Sequence, residues 1–136
     1  MEAEIIGAVK IDLQAGERRL SERYALDNPS GVRLLLSEYH ALQERQYQGD
    51  VDAIILLADL ETAISTAGLT DRQRQALNLV YVEDLTQAKA GEAMGISRIS
   101  VLEHVEDAVN KISEVYFYWA GHGEGYATTI TKEEAK

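Results

Sequence analysis

The chain contains no cysteine in 136 residues, which excludes a disulfide scaffold and any zinc site built on thiolates. A single proline, Pro29, and little strand-type alternation leave almost the whole chain free to be helical. The three histidines, His40, His104 and His122, are scattered without the spacing of metal ligands. Paired carboxylates are common, but on amphipathic helices such pairs are solvated faces. No phosphate loop, nucleophile elbow or dinucleotide fingerprint occurs, so the chain reads as a non-enzyme that needs no cofactor. No apolar run approaches the roughly 20 residues that span a bilayer, and the longest cluster, Ala53 to Ala58, is far shorter. With no secretory apolar core either, the expectation is a cytoplasmic protein.

Positive charge is also scarce. Thirteen Lys and Arg face 23 Asp and Glu, a formal charge of -10, whereas a dedicated nucleic-acid binder is ordinarily basic. The excess is uneven: residues 1–68 carry 6 basic and 12 acidic side chains, residues 69–119 carry 5 and 8, and residues 120–136 carry 2 and 3. Because screening acts over roughly 8 Å at physiological salt, a local cluster of Arg72, Arg74, Lys89 and Arg98 can still hold phosphates.

What the chain does have is helical periodicity with clear stops. Ala3 to about Tyr24 is helix-compatible but interrupted at Gly16. Asn28 followed by Pro29 opens a helix predicted to reach Tyr47, with Val32, Leu35, Leu36, Tyr39 and Leu42 on one side. Gly49 breaks it, and Asp50 caps a helix over 51–67 that places Ala53, Leu57, Leu60 and Ile64 on one face. Thr70-Asp71-Arg72-Gln73 fits a capping box and opens a further helix, with Leu77, Val80 and Tyr81 on its buried side.

The most informative stretch is Leu85 to Ile112, which reads as two helices meeting at Gly95-Ile96-Ser97. Leu85, Ala90, Ala93 and Met94 recur at near-helical spacing on a short first helix. Gly95 suits the left-handed residue that follows a helix C-terminus, and Ser97 suits the N-cap of the next helix. Along that second helix Val101, Val105, Ala108 and Ile112 form an inward stripe. The outline is a helix-turn-helix, in which the second helix enters the major groove of DNA.

Leu69 to Ile112 resembles region 4 of bacterial RNA polymerase sigma factors, and especially the stand-alone sigma-like regulators of bacteriophages and prophages. The shared features stand in order: a leucine, a polar pair, Arg-Gln-Arg, a helix ending Leu-x-x-Tyr, an acidic turn, Leu-Thr, then Gly-Ile-Ser. The resemblance implies a DNA-binding transcription regulator that works at promoters with RNA polymerase in a bacterial host cell. The chain departs from the family where the recognition helix begins: Ser100-Val101-Leu102 replaces Thr-Val-Lys, and His104 and Asp107 stand where arginines are usual. Ala90 replaces a large aliphatic residue and Gly91 an alanine, predicting a first helix that is less well packed.

Turning the inward stripe toward the core puts Ser100, Glu103, Asp107 and Asn110 outward, with Ile99 and His104 on the flanks. Two carboxylates there oppose phosphate, although a glutamate can accept from cytosine N4. On this reading Ser97, Arg98, Ser100 and His104 approach base edges, Arg72, Arg74, Thr86, Gln87 and Lys89 approach phosphates, and Lys111 supports them from the far end.

The expected architecture is all-α, with an N-terminal helical segment followed by a trihelical helix-turn-helix unit whose last helix is long. Residues 1–68 form a helical scaffold or, on a sharper reading, an oligomerisation or partner-binding arm. Residues 69–119 form the sigma-like unit, and 120–136 a flexible tail. No counterpart of the sigma region that melts promoter DNA is apparent, which favours an accessory regulator. Tyr116-Phe117-Tyr118-Trp119 sets aromatics on all sides of a helix, and packing is favoured over base stacking because no cationic groove adjoins them. The competing function is an acidic interaction module that keeps the helix-turn-helix shape while binding polymerase or a sigma factor. A phage packaging small subunit is a weaker third reading, since its helix-turn-helix usually lies at the N-terminus.

Overall fold

The computed structural model describes residues 23–122, which contain six α-helices, one π-helical turn and no strand. Asn28 accepts from Gly31 N–H at 3.1 Å and Pro29 occupies the first turn, so α1 (Pro29–Ser37) starts where its capping residues dictate. The helix predicted to continue to Tyr47 breaks instead at Glu38, whose φ is -105° and ψ 13°. Its side chain is drawn aside by Arg23 and Tyr24, while Ser37 Oγ donates to Leu34 O at 2.7 Å. Side-chain hydrogen bonds of this kind divert a helix from its regular ladder. The second half therefore forms a separate helix, α2 (Tyr39–Tyr47).

Gly49, at φ 91°, turns the chain into α3 (Val51–Thr66). Asp50 caps α3 by accepting from Asp52 and Ala53 N–H, and it also pairs with Arg45 at 2.7 Å. The buried face of α3 comprises Ala53, Leu56, Leu57, Leu60 and Ala63, leaving Ile64 only half-buried. The expected stripe was therefore rotated slightly from the one the core selects.

The capping box is present: Thr70 Oγ1 accepts from Gln73 N–H and Gln73 Oε1 accepts from Thr70 N–H. It starts α4 (Asp71–Leu77), which runs into a π-helical turn over Asn78–Val82, closed by Glu83 N–H donating to Asn78 O at 2.9 Å. This turn sets Leu79, Val80 and Tyr81 half-buried against the core. Two further helices follow, α5 (Gln87–Met94) and α6 (Arg98–His122).

The core is organised around α6, which packs against α4, α5, α1 and α3. Val101, Val105, Ala108 and Ile112 are buried as their spacing requires, joined by Val109, Val115, Tyr116 and Trp119. The aromatic run divides accordingly. Tyr116 and Trp119 meet edge to face in the core with ring centroids 5.2 Å apart, Tyr118 is half-buried, and Phe117 points to solvent. Ala120 to His122, expected in the tail, form the last turn of α6, and the rest of the predicted tail lies outside the described residues, as does the first segment up to residue 22. None of the described helices is long and apolar enough to cross a membrane.

Candidate nucleic-acid interface

The corner between α5 and α6 is built from local chemistry. Thr86 Oγ1 caps α5 by accepting from Lys89 N–H at 3.1 Å, and Gly95, at φ 73°, ends the helix in the left-handed conformation. Ile96 N–H donates to Gly91 O at 3.0 Å. Ser97 Oγ then accepts from Ser100 N–H at 3.0 Å and donates to Ser100 Oγ at 3.1 Å, capping α6.

Two expectations about α5 are corrected by this geometry. Its buried residues are Ala90, Gly91 and Met94, whereas Ala93 is exposed and Leu85 half-buried. Gly91 does not loosen the packing. A Cβ built there would stand 2.7 Å from Ile96 O and 3.4 Å from Arg98 N, so the missing side chain is what lets the two helices close on each other.

The structure sorts the ten predicted contact residues into three groups. Thr86, Gln87 and Lys89 form the first turn of α5, and Ser97, Arg98, Ser100 and His104 lie in the first two turns of α6. Lys89 and Arg98 are exposed; Ser100 and His104 are half-buried. Arg72 belongs to the corner itself, because its guanidinium donates to Met94 O at 3.2 Å and to Gln75 Oε1 at 3.1 Å. It braces the last turn of α5 while remaining exposed.

Arg74 and Lys111 are placed elsewhere. Arg74 lies roughly 200° around α4 from Arg72 and lines a cleft with Tyr39, Ile54 and Tyr81, so the expected cluster of four basic residues is divided. Lys111 Nζ donates to Gln73 Oε1 at 3.0 Å and to Gly68 O at 3.4 Å. Its ammonium ties α6 to the α3–α4 junction and does not support the N-terminal turns of α6. For Lys111 both partners come from other elements.

Ile99 was not among the predicted contacts, yet it is 57% exposed beside Arg98. An aliphatic side chain at the first turn of a recognition helix offers a surface to a thymine methyl. Its signal in the sequence was its position next to the Ser97 cap. The remaining outward face of α6 is acidic, with Glu103, Glu106, Asp107 and Glu114 all exposed. Among the described residues no group of three His, Asp or Glu side chains is arranged to hold a metal ion.

Residues 67–114 match the family model for sigma-70, region 4. This part of the chain is a helix-turn-helix similar to sigma region 4. The region 4 match starts at the C-cap of α3 and ends inside α6, leaving α1, α2, the whole of α3 and the aromatic end of α6 outside it. No curated protein and no solved structure matches the chain. The likeness of this unit to region 4 therefore rests on that match, together with the corner geometry.

Proposed function

We propose that the protein is a transcription regulator that acts as a detached sigma region 4, reading promoter DNA in concert with RNA polymerase in the cytoplasm of a bacterial cell, and that it is of phage or prophage origin. The observation that carries the reading is the Gly95–Ser97 corner, which presents Arg98, Ile99 and Ser100 at the open end of α6 within the region 4 match. In this reading Arg98, Ile99 and Ser100 address base edges, with Ser97 and His104 beside them. Thr86, Gln87 and Lys89 hold the phosphate backbone at the α5 N-terminus, where backbone N–H groups favour an anion. Arg72 fixes the corner and adds one cation near it.

Few cations and an acidic outer face give weak intrinsic affinity, so polymerase supplies the remaining binding energy. The test is genome-wide footprinting to find the site, followed by titration of that site with wild type and Arg98→Ala. A loss of roughly 5-fold to 100-fold is expected for one base-reading side chain. Equal affinity of the two proteins would remove the assignment.

A second reading is supported by Glu103, Asp107 and Glu114, which share the outward face of α6. It makes the unit an acidic module that docks on a basic surface of polymerase or of a sigma factor. Recovery of polymerase from host lysate without discrete DNA sites would favour it.

A further inference from the structure

We propose that the cleft between α2, α3 and the π-helical turn is the seat of the chain's own residues 5–13. The cleft has a volume of about 590 Å³, and its walls include Tyr39 from α2, Ile54, Leu57 and Ile64 from α3, and Tyr81 and Val82 from the π turn. Ile54 is 40% and Val82 41% exposed. Gln43, Glu61 and Arg74 also line it, and a mainly apolar depression between helices accepts the apolar face of another helix, read as anchors four residues apart.

The N-terminal sequence supplies that pattern. Ile5, Val9 and Leu13 follow at intervals of four, with Ile6 beside them. At about 100° per residue these four side chains span an arc of roughly 100°. Glu4, Lys10 and Gln14 fall outside it, as does Ile11. Residues 123–136 carry only Tyr126 and Ile130 as large apolar side chains, which make no such stripe.

The point of attachment also selects this segment. Arg23 is fastened to Glu38 by hydrogen bonds of 3.2 and 2.7 Å, and Tyr24 Oη donates to the same carboxylate at 2.8 Å. Glu38 directly precedes Tyr39, and both Leu36 and Tyr39 line the cleft. The chain thus enters the described structure fastened to Glu38, the residue next in sequence to a wall residue of the cleft. The nine residues 14–22 reach about 30 Å when extended, more than enough to return residues 5–13 to it. A segment tethered at that distance meets its groove at an effective concentration in the millimolar range. This inference is independent of the DNA-binding reading.

Because the chain has no cysteine, Gln14→Cys carries a single nitroxide on the polar side of the segment. In dilute full-length protein the label is expected to weaken the methyl resonances of Ile54, Ile64 and Val82 several-fold relative to the reduced label, leaving Val105 unaffected. Adding Val9→Asp and Leu13→Asp to the labelled chain should restore them. The methyl shifts of Val105 and Ile112, in the core around α6, report that this chain is folded. Ile54→Glu, at a partly exposed wall position, should likewise restore Ile64 and Val82. Absence of broadening in the labelled wild-type background would overturn the proposal. Broadening that arises only when spin-labelled chains are mixed with separate isotope-labelled chains would place a second copy in the cleft, and would overturn it equally.

Discussion

Lys111 Nζ donates to Gln73 Oε1 across 3.0 Å, and the same oxygen accepts from Thr70 N–H at 3.0 Å. One buried amide thus closes the cap of α4 and anchors the middle of α6. Gln73→Ala removes both bonds and is expected to cost about 1 to 2 kcal/mol. Lys111→Met costs less, and urea unfolding of the two single variants and the double variant should show that their losses do not add. Strict additivity would mean that the contact contributes nothing to stability.

Gly91→Ala tests the corner. Alanine improves helix propensity by about 1 kcal/mol, but its Cβ would lie 2.7 Å from Ile96 O, and overpacking of that kind costs about 1 to 3 kcal/mol. The net expectation is a lower thermal midpoint. At exposed Ala93 the reverse change, Ala93→Gly, should lose only the propensity difference, and a rise in the Gly91→Ala midpoint would contradict the close approach.

Salt dependence separates cations that meet phosphate from those that do not. On the promoter site, Lys89→Gln should reduce the slope of log affinity against log salt by about 1. For Arg74→Gln and Lys111→Gln the slope should be unchanged, because the first side chain faces the cleft and the second is held by Gln73 and Gly68. Filter binding from 50 to 200 mM salt, roughly the range over which such slopes are resolved, distinguishes the three.

The Arg23 guanidinium, followed by the Tyr24 hydroxyl, holds the Glu38 carboxyl below the ordinary carboxylate range, against a smaller opposing effect of desolvation. A lowered folded-state value contributes stability above the unfolded-state value and loses it as pH falls through the folded one. The Glu38 contribution should therefore be complete at neutral pH and be lost progressively as pH falls below the ordinary carboxylate range. Urea midpoints of wild type and Glu38→Gln should differ at pH 7 and converge toward the acid end. Asp50, lowered chiefly by Arg45, contributes with the same sign.

Features fixed by neighbours in the chain are legible in the sequence. Asn28, Asp50, the Thr70–Gln73 box, Gly95 and Ser97 each cap or stop a helix through residues within three positions, and all do so in the structure. The break at Glu38 was hidden because Arg23 lies 15 residues away. The π turn was hidden because an i→i+5 bond leaves no residue signature. Gly91 looked like a defect until Ile96 O came round the corner to meet it. Arg72 and Arg74, two residues apart in the motif, part company because helical geometry turns them about 200° from each other.

The helix α6 is one uninterrupted rod of 25 residues, and its far end is wedged into the core by Tyr116 and Trp119. From Trp119 to Arg98 the rod measures roughly 30 Å at 1.5 Å per residue. A tilt of about 10° at the aromatic wedge would carry Arg98 by about 5 Å over that length, further than the spacing of adjacent base pairs. Under the DNA-reading function proposed above, α1 and α3, which pack on α6, are the gimbal of the reading head: a change that repacks them would redirect Arg98 without touching a residue at the α5–α6 corner.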